Sequence, residues 1–366
     1  MYKIPLSNID NSKLEIDYVT QAVQTGWISS SGSFVQKAQE QWAKICGNKY
    51  CLLVNNGTAA LHLSLMAFGV KPYDEIIVPG LTFVAPAAAV KRIGAKPIVA
   101  DVLETTWCIN PDSIKQLITP RTKGVIAVNL MGYIPEYDEI KNICKEHNLF
   151  LIEDAAQSHG SSYRSSMSGS FGDISTFSFF ANKTITSGEG GAVLTQDENL
   201  YQHMSLIMNH GMTKNKPYWH DVIGDNFRTT NLNAAFLCAQ IERINEIVNN
   251  KKHIDQLYRK LLFNVHDVHF RDMPNDMDVV IWLQAIFTER RDELVQFLRS
   301  KDIDARSLWY PIIEMPLYGI GQQDTPISRK VSKQVLWLPT YSGMSNYDIS
   351  YVADMVMLFF AKENCL

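Results

Sequence analysis

Residues 149–195 read LFLIEDAAQSHGSSYRSSMSGSFGDISTFSFFANKTITSGEGGAVLT. This stretch contains three short apolar runs: LFLIEDA (149–155), DISTFSF (173–179) and GAVLT (191–195). Runs that are apolar on both faces suit strands buried between helices in a mainly parallel sheet. Asp154 closes the first run and Lys183 follows the second. Because open α/β sheets bind ligands at the ends of their strands, both residues are candidates for a functional site.

The same pattern extends towards the start of the chain. Four further apolar runs are YCLLV (50–54), EIIVPG (75–80), KPIVADV (96–102) and KGVIAVNL (123–130). Segments with apolar residues at helical spacing lie between the runs, such as TAALHLSLMAF (58–68) and YDEIKNICKEHN (137–148). This βαβ repetition predicts an α/β fold in which a mainly parallel, seven-stranded sheet lies between helices.

The pattern changes near residue 245. The segments that follow or span this point are a helix or broken helix pair at 232–265, the apolar run VVIWLQAIF (279–287), an amphipathic segment at 290–303 and a helical pattern at 345–363. They predict a second unit of mixed α+β type. We therefore expect a large α/β domain over residues 1–245, including the N-terminal segment, and a smaller α+β domain over residues 246–366.

Composition excludes several classes of protein. With 366 residues, 46% hydrophobic and 20% charged, the chain is not disordered, and its net charge of -4 argues against a nucleic-acid partner. The six cysteines lack metal-ligand spacing, so neither a zinc site nor a disulfide framework is expected at Cys46, Cys51, Cys108, Cys144, Cys238 and Cys365. No signal-peptide pattern and no apolar stretch of about 18 residues occurs, so we expect a cytoplasmic protein without a membrane partner.

Three features could carry chemistry, and each also has an ordinary structural explanation. Asp154 needs a cationic partner if it is buried, or it simply caps the next helix. Lys183 could serve as an amine nucleophile that forms a Schiff base, although most lysines are solvated surface residues. In NNGTAALHL (55–63) the start of a helix offers an anion site, with Gly57 allowing close approach, or Thr58 merely caps the helix.

Together, these three features indicate a function more specifically than any one of them does alone. An anion-binding helix start, an aspartate after a strand and a lysine further along occur here in that order. Pyridoxal phosphate (PLP) requires an anchor for its phosphate, a carboxylate for its ring nitrogen and an amine for its aldehyde. The sequence therefore predicts a PLP site.

At these residues the chain resembles the sugar-nucleotide aminotransferases of the aspartate-aminotransferase fold, PLP fold type I. The resemblance covers almost the whole chain and rests on six ordered blocks: TGWISSSG (25–32), NNGTAALHLSL (55–65), DEIIVPGLTFVAPAAAV (74–90), IEDAAQSHGSSY (152–163), GDISTFSFFANKTITSGEGGAVLT (172–195) and GDNFRTTNLNAA (224–235). Within the family it is closest to the branch that forms GDP-perosamine, through FGDISTFSFFANKTITSGEGG and YWHDVIG (218–224).

The resemblance implies roles for individual residues. Lys183 would hold the cofactor and move the proton, and Asp154 would pair with its ring nitrogen. The remaining cofactor contacts would come from Gly57, Thr58, Ala59, Phe83, Gln157, Ser178 and Asn226. The substrate would be bound by Trp27, Ser29, Arg228, Tyr310 and Ile313, in a pocket lined by 212–220 and 306–310. Asn226 would reach the phosphate of a neighbouring subunit, which implies a homodimer with active sites at its interface.

The implied reaction is transamination from L-glutamate to C4 of GDP-4-keto-6-deoxymannose, for a surface polysaccharide. Relatives that remove a hydroxyl group have histidine at the position of Lys183, so transamination is favoured over dehydration. Three positions depart from the perosamine-forming branch: Ile313 replaces histidine, Ser31 replaces lysine and Gln157 replaces an acidic residue. Because these positions are expected near the nucleotide and sugar, dTDP-4-keto-6-deoxyglucose or a UDP-linked 4-keto sugar is the alternative substrate.

Two other classes of protein fit less well. An NAD-dependent enzyme of the Rossmann type would need G-x-G-x-x-G after its first strand, and NNGTAAL lacks that glycine pattern. A non-catalytic protein that kept the fold would most simply have lost the lysine or the aspartate, whereas Lys183 and Asp154 are both present.

Overall fold

The computed structural model describes residues 2–213, 215–318, 321 and 323–361. Cys365, and Lys214 of the predicted pocket loop, lie outside these ranges. Twelve α-helices occur in the described part: α1 Lys13–Gln24, α2 Ser33–Ile45, α3 Gly57–Ala67, α4 Ala85–Arg92, α5 Pro111–Leu117, α6 Tyr137–Glu146, α7 Glu198–Ile207, α8 Asn231–Glu242, α9 Ile244–Leu261, α10 Arg291–Ser300, α11 Pro326–Gln334 and α12 Asn346–Ala361. Leu130–Gly132 and Ile312–Glu314 form short 3-10 turns.

The strands fall into three sheets. In chain order they are β1 Tyr50–Val54, β2 Glu75–Pro79, β3 Lys96–Ala100, β4 Thr122–Val128, β5 Phe150–Asp154, β6 Ser162–Tyr163, β7 Ser166–Met167, β8 Ile174–Ser178, β9 Gly191–Thr195, β10 Met277–Asp278, β11 Gln284–Phe287, β12 Arg306–Ser307 and β13 Val335–Leu338. The main sheet has seven strands in the order β1-β9-β8-β5-β4-β2-β3.

The main sheet is mainly parallel, as the sequence predicts. Strands β8, β5, β4, β2 and β3 are mutually parallel, and β9 runs antiparallel to both of its neighbours. Its strands are buried almost throughout because helices cover both faces, which explains their continuous apolar runs. The predicted α/β fold is therefore confirmed, and the parallel strands bring Asp154 and Ser178 to the same edge.

The long helical pattern at 232–265 is a broken pair. Helix α8 ends at Glu242, and α9 starts at Ile244. Between them, the guanidinium group of Arg243 donates to the main-chain carbonyl of Asp10 at 3.2 Å and to Glu15 Oε1 at 2.9 Å. The break therefore lies at a residue that fastens the N-terminal segment to the helix pair.

The C-terminal part forms a smaller α+β unit around the antiparallel sheet β11-β13-β12. Its hydrophobic cluster includes buried residues of α9, α10 and α12, and also Ile4 from the N-terminal segment. Ile4 N–H donates to the Asp302 carbonyl at 3.1 Å, and Asp304 N–H donates back to Ile4 at 2.9 Å. The start of the chain therefore packs with the smaller unit, although the sequence assigns it to the large domain. The domain limits at residue 245 stay a prediction.

Candidate active site

A cavity of about 550 Å³ opens at the carboxyl ends of the parallel strands, within the volume range of ligand sites. The residues from the sequence-predicted set that border it are Gly57, Thr58, Phe83, Asp154, Gln157, Ser178 and Lys183. They come from four separate parts of the chain: the start of α3, the loop before α4, the end of β5 and the segment after β8. The fold thus assembles seven predicted residues around one space.

Two adjacent buried carboxylates at the end of β5 have different surroundings. Glu153 accepts four hydrogen bonds of 2.7–2.8 Å from Asn129, Gly169, Phe171 and Ser175. Asp154 points to the other face of the strand, borders the cavity and accepts from the Ala156 N–H at 3.1 Å. Glu153 is a satisfied structural group, whereas Asp154 is available to a ligand.

Burial raises the pKa of Asp154 to about 6, against the opposing effects of the Ala156 N–H and the positive charge of Lys183. A carboxylate that is 6% exposed is poorly solvated, so it gains from any cationic or N–H partner that enters the cavity. This is the environment that a protonated ring nitrogen would complement.

Lys183 lies in the turn after β8, where its N–H donates to the Phe180 carbonyl at 2.9 Å. Its ammonium group lies 4.2 Å from the centre of the Trp282 ring. Burial lowers the pKa of Lys183 to about 8, and the negative charge of Asp154 opposes that shift. At pH 7 roughly a tenth of Lys183 is therefore the neutral amine, the form that acts as nucleophile and base, and at pH 8 about half is.

The helix start beside the cavity differs in detail from the prediction. Asn56, and not Thr58, is the N-cap, and its Oδ1 accepts from the Ala59 N–H at 2.8 Å. Ala59 does not border the cavity, and its N–H already donates to the Asn56 cap, so its role at the phosphate stays a prediction. The N–H groups of Gly57 and Thr58 have no partner within the helix and stand at its positive end.

Gly57 is required by a close approach between two chain segments. A Cβ atom at this position would lie 2.8 Å from the Ser178 Cβ. The absence of a side chain therefore lets the helix start and the end of β8 meet at one point. Together Gly57, Thr58 and Ser178 form a cradle that suits a phosphate group.

Two further predicted residues form the walls of the cavity. Gln157 is 3% exposed, and its Oε1 accepts from the Met131 N–H at 3.1 Å. That bond leaves the amide NH₂ group as a donor. Phe83 is 51% exposed, and its ring lies 5.9 Å from that of Trp309. An exposed aromatic face at a cavity can stack on a planar ligand.

Sequence reasoning missed a cluster of three tryptophans. Trp282 stacks on Trp309 at 5.9 Å, and Trp337 lies edge-on to them at 5.8 Å and 4.8 Å. All three border the cavity. They come from segments far apart in the chain, so no local motif marks them; the single tryptophan in each of the runs VVIWLQAIF, RSLWY and VLWL is the only signal.

Besides Ala59, six predicted residues do not border this cavity in the single chain. Asn226 is exposed, and its Oδ1 accepts from Arg228 Nε at 2.9 Å. Arg228 borders a second groove of about 400 Å³, together with Met212 and Thr213 of the predicted pocket loop. The other four do not border the cavity either: Trp27, Ser29, Tyr310 and Ile313. Of the predicted loop 306–310, Arg306 and Trp309 do border it.

The residues present fit PLP. Asp154 suits its ring nitrogen, Lys183 its aldehyde carbon, and the cradle of Gly57, Thr58 and Ser178 its phosphate. Among the residues that the structure describes, the Ala156 N–H is the only hydrogen-bond donor to the buried Asp154 carboxylate, so this carboxylate can accept a cationic partner. A site of this composition belongs to a cofactor-dependent group-transfer enzyme.

Comparison with known proteins places the chain within that class. The chain belongs to the DegT/DnrJ/EryC1/StrS aminotransferase family, whose model matches residues 10–357. It is 38% identical over 366 residues to GDP-perosamine synthase of Escherichia coli O157:H7, covering 99% of this chain and 100% of that protein. It is also 38% identical to GDP-perosamine synthase of Caulobacter vibrioides over 345 residues, covering 92% of this chain and 93% of the other.

A solved structure agrees with this placement. DesV from S. venezuelae matches with a TM-score of 0.93 at 27% identity, covering 98% of this chain and 99% of that one. The family resemblance, the fold class and the use of PLP are thereby confirmed, and the chain is a PLP-dependent sugar aminotransferase.

Neither a membrane-spanning helix nor a metal-binding cluster occurs among the described residues. No described helix is both long enough and apolar enough to cross a membrane. Across the same residues, no group of three His, Cys, Asp or Glu side chains is placed to hold a metal ion.

Proposed function

We propose that the enzyme transfers an amino group from L-glutamate to C4 of GDP-4-keto-6-deoxymannose, forming GDP-perosamine for a surface polysaccharide. The observation that carries this proposal is the 38% identity to two GDP-perosamine synthases over nearly the full length of each. The cavity supports it, because the lysine amine that transamination needs faces the space where the cofactor would bind.

The cofactor, when bound, supplies an electron sink for the pair of electrons released when a proton leaves the substrate carbon. The residues of the protein would bind the cofactor and transfer the protons. Asp154 would hold the ring nitrogen in its protonated state. Lys183, in its neutral form, would take the proton from the α-carbon of the amino donor in the first half of the reaction and would deliver a proton to C4 of the keto sugar in the second half. Trp282 packs against that amine and contributes to its burial.

The cavity also contains cationic groups that suit anionic substrates. Arg92 and Arg306 both border it, and Arg306 is held by Asp304 through a contact of 2.8 Å between Nη2 and Oδ2. Glutamate carboxylates and a nucleotide diphosphate each require such donors. We assign these two arginines as anion contacts for the substrates.

Substrate choice is tested by single turnovers with the enzyme in its amine-loaded form. After treatment with L-glutamate and removal of free amino acid, the protein is mixed with one keto sugar at a time, and recovery of the visible cofactor band is measured. GDP-4-keto-6-deoxymannose is expected to restore the band at least about 100-fold faster than the dTDP or UDP sugars, because buried polar groups discriminate strongly. Faster recovery with dTDP-4-keto-6-deoxyglucose would replace the proposed substrate and leave the aminotransferase class intact.

We further propose a homodimer that shares its active sites. Asn226 and Arg228 lie outside the cavity of their own chain, where Arg228 is fixed by Asn209 Oδ1 at 2.7 Å. Both residues could therefore contribute to the site of a neighbouring subunit. A cytoplasmic location, proposed from the sequence, fits an enzyme whose substrates are nucleotide-linked.

Mixing two inactive variants tests the shared site. Lys183→Ala and Asn226→Ala are each expected to be impaired, but co-refolding or co-expression should restore up to about a quarter of wild-type activity. In the mixed dimer one site receives Lys183 from one chain and Asn226 from the other, so it is intact. The control is Lys183→Ala mixed with an Asp154→Ala chain, which leaves no intact site if both residues act in the same chain. Equal activity in both mixtures would contradict the shared site.

A further inference from the structure

A buried lysine, Lys251, lies close to the active site. Lys251 is in α9 and is only 3% exposed. Its Nζ atom donates to the Trp282 carbonyl at 2.8 Å and to the Thr340 carbonyl at 2.9 Å. Among the residues that the structure describes, no carboxylate forms an ion pair with it. A lysine that is buried without a counter-ion is costly, so its retention calls for a reason.

The two carbonyl groups belong to the segments that carry the tryptophan cluster. Trp282 lies just before β11, and Thr340 lies just after β13, which contains Trp337. Thr340 in turn accepts the Gln284 N–H through Oγ1 at 2.8 Å. The Nζ atom of Lys251 therefore connects both segments to helix α9 through hydrogen bonds.

Trp282 is fixed at its other end as well. Its indole Nε1–H donates to the carbonyl of Asn182, the residue before Lys183, at 2.7 Å. The ring lies 4.2 Å from the Lys183 ammonium group. A continuous series of contacts thus runs from Lys251 through the backbone and ring of Trp282 to the catalytic amine.

The two lysines also border the same internal space. Lys183, Asn182 and Lys251 line a small polar cavity, together with residues of the N-terminal segment. Asn182 Oδ1 and Thr184 Oγ1, from residues lining this space, are buried without a hydrogen-bond partner. Loss of the Lys251 ammonium group would enlarge a space that already offers polar atoms to water.

We propose that Lys251 is a positioning residue: it anchors the Trp282 backbone so that the indole ring packs against the Lys183 amine and keeps water from it. This inference rests on the role proposed for Lys183 above. Lys251 touches neither the substrate nor the cofactor cavity, and it acts through Trp282. The charged groups that line the two cavities bordered by Lys183 are Asp154, Lys251, Asp10, Glu189, Arg92 and Arg306.

The test measures Lys183 itself in the cofactor-free protein. Trace acetylation with acetic anhydride between pH 6 and 10, followed by peptide mass spectrometry, gives the titration midpoint of the Lys183 amine. Wild type is expected to titrate near the pKa of about 8 that burial imposes. Lys251→Met, which removes both hydrogen bonds of the Nζ atom, is expected to raise the midpoint by about one pH unit, as water replaces part of the indole contact.

A second variant and a matched control complete the design. Lys251→Gln keeps a polar group but is too short to hold both carbonyls, so it should shift the midpoint in the same direction even if the methionine variant folds poorly. Lys252→Met is the control, because the neighbouring lysine forms an ion pair with Asp278 at 2.7 Å on the helix surface. It should leave the Lys183 midpoint unchanged.

The possible results distinguish an error in the role proposed for Lys183 from an error in the role proposed for Lys251. If wild-type Lys183 titrates like a surface lysine, the role proposed for Lys183 loses its support. If wild type titrates low and both Lys251 variants lower the melting temperature without moving the midpoint, Lys251 is only structural and the inference is wrong. A shift in both variants, with none in Lys252→Met, is the expected result.

Discussion

Lys183→Ala is expected to lower kcat by about 10³-fold or more, because it removes both the nucleophilic amine and the base that moves the proton. The fold should survive, since the side chain contributes one ring contact with Trp282 and the main-chain bond to Phe180 is kept. The measurement is steady-state turnover with L-glutamate and the keto sugar, at a pH near the Lys183 pKa of about 8, where the wild-type amine is partly neutral.

The cofactor provides an independent readout on the same variant. Asp154, Ser178 and the helix start at Gly57 remain in place, so the variant should still take up PLP without a covalent link. Its absorption should then be that of the free aldehyde and should not titrate with the Lys183 amine. Lys145→Ala, at an exposed position in the last turn of α6, is the control. Turnover within about tenfold of wild type would remove Lys183 from the mechanism, since a missing general base alone costs more than that.

The parts of the fold that the sequence predicts well are those that depend on local patterns. The strands Tyr50–Val54 and Gly191–Thr195 coincide with the apolar runs, because a strand buried on both faces has apolar residues at every position. Asp154 and Lys183 stand out for a related reason. A charged residue directly beyond such a strand lies at the edge where open sheets bind ligands.

What the sequence does not reveal depends on contacts between distant segments. Trp282, Trp309 and Trp337 meet only after the small sheet has formed, and nothing in their neighbouring residues marks them. Ile4 joins the C-terminal cluster through a bridge to Ile303, almost the whole chain away. The cap at Asn56 is not predicted because asparagine and threonine are both good capping residues, and only the backbone geometry distinguishes them.

Asp154→Asn is expected to have opposite effects on activity and on stability. The amide cannot hold the ring nitrogen in its protonated state, so kcat should fall by about 10²-fold or more. The cofactor-free protein, in contrast, should become more stable at a pH of about 7.5. The wild-type carboxylate is buried, and its pKa of about 6 lies above its ordinary value. Urea unfolding of the two cofactor-free proteins between about pH 4 and pH 8 measures the difference.

The sign follows from proton linkage. The folded protein binds the Asp154 proton more tightly than the unfolded chain does, so wild-type stability falls as the pH rises from about 4 through the folded pKa of about 6. The amide that replaces the carboxyl group has no proton to lose in this range. The stability gain of the variant should therefore be near zero at about pH 4 and reach at most about 3 kcal/mol above about pH 7, by the free-energy equivalent of the pKa shift. A gain that is constant across this range, or a loss at the upper end of it, would contradict the assignment.

The neighbouring carboxylate supplies the decisive contrast. Glu153 is also buried on β5, but four donors already satisfy its oxygens. Glu153→Gln puts an NH₂ group where two of those donors point, so it should destabilise the protein by about 1–3 kcal/mol at the same pH. Two adjacent buried carboxylates should thus respond to the same change with opposite signs. Such a difference would indicate that the partner of Asp154 comes from the cofactor. A carboxylate with a purely structural role would instead receive its hydrogen bonds from other residues of the protein.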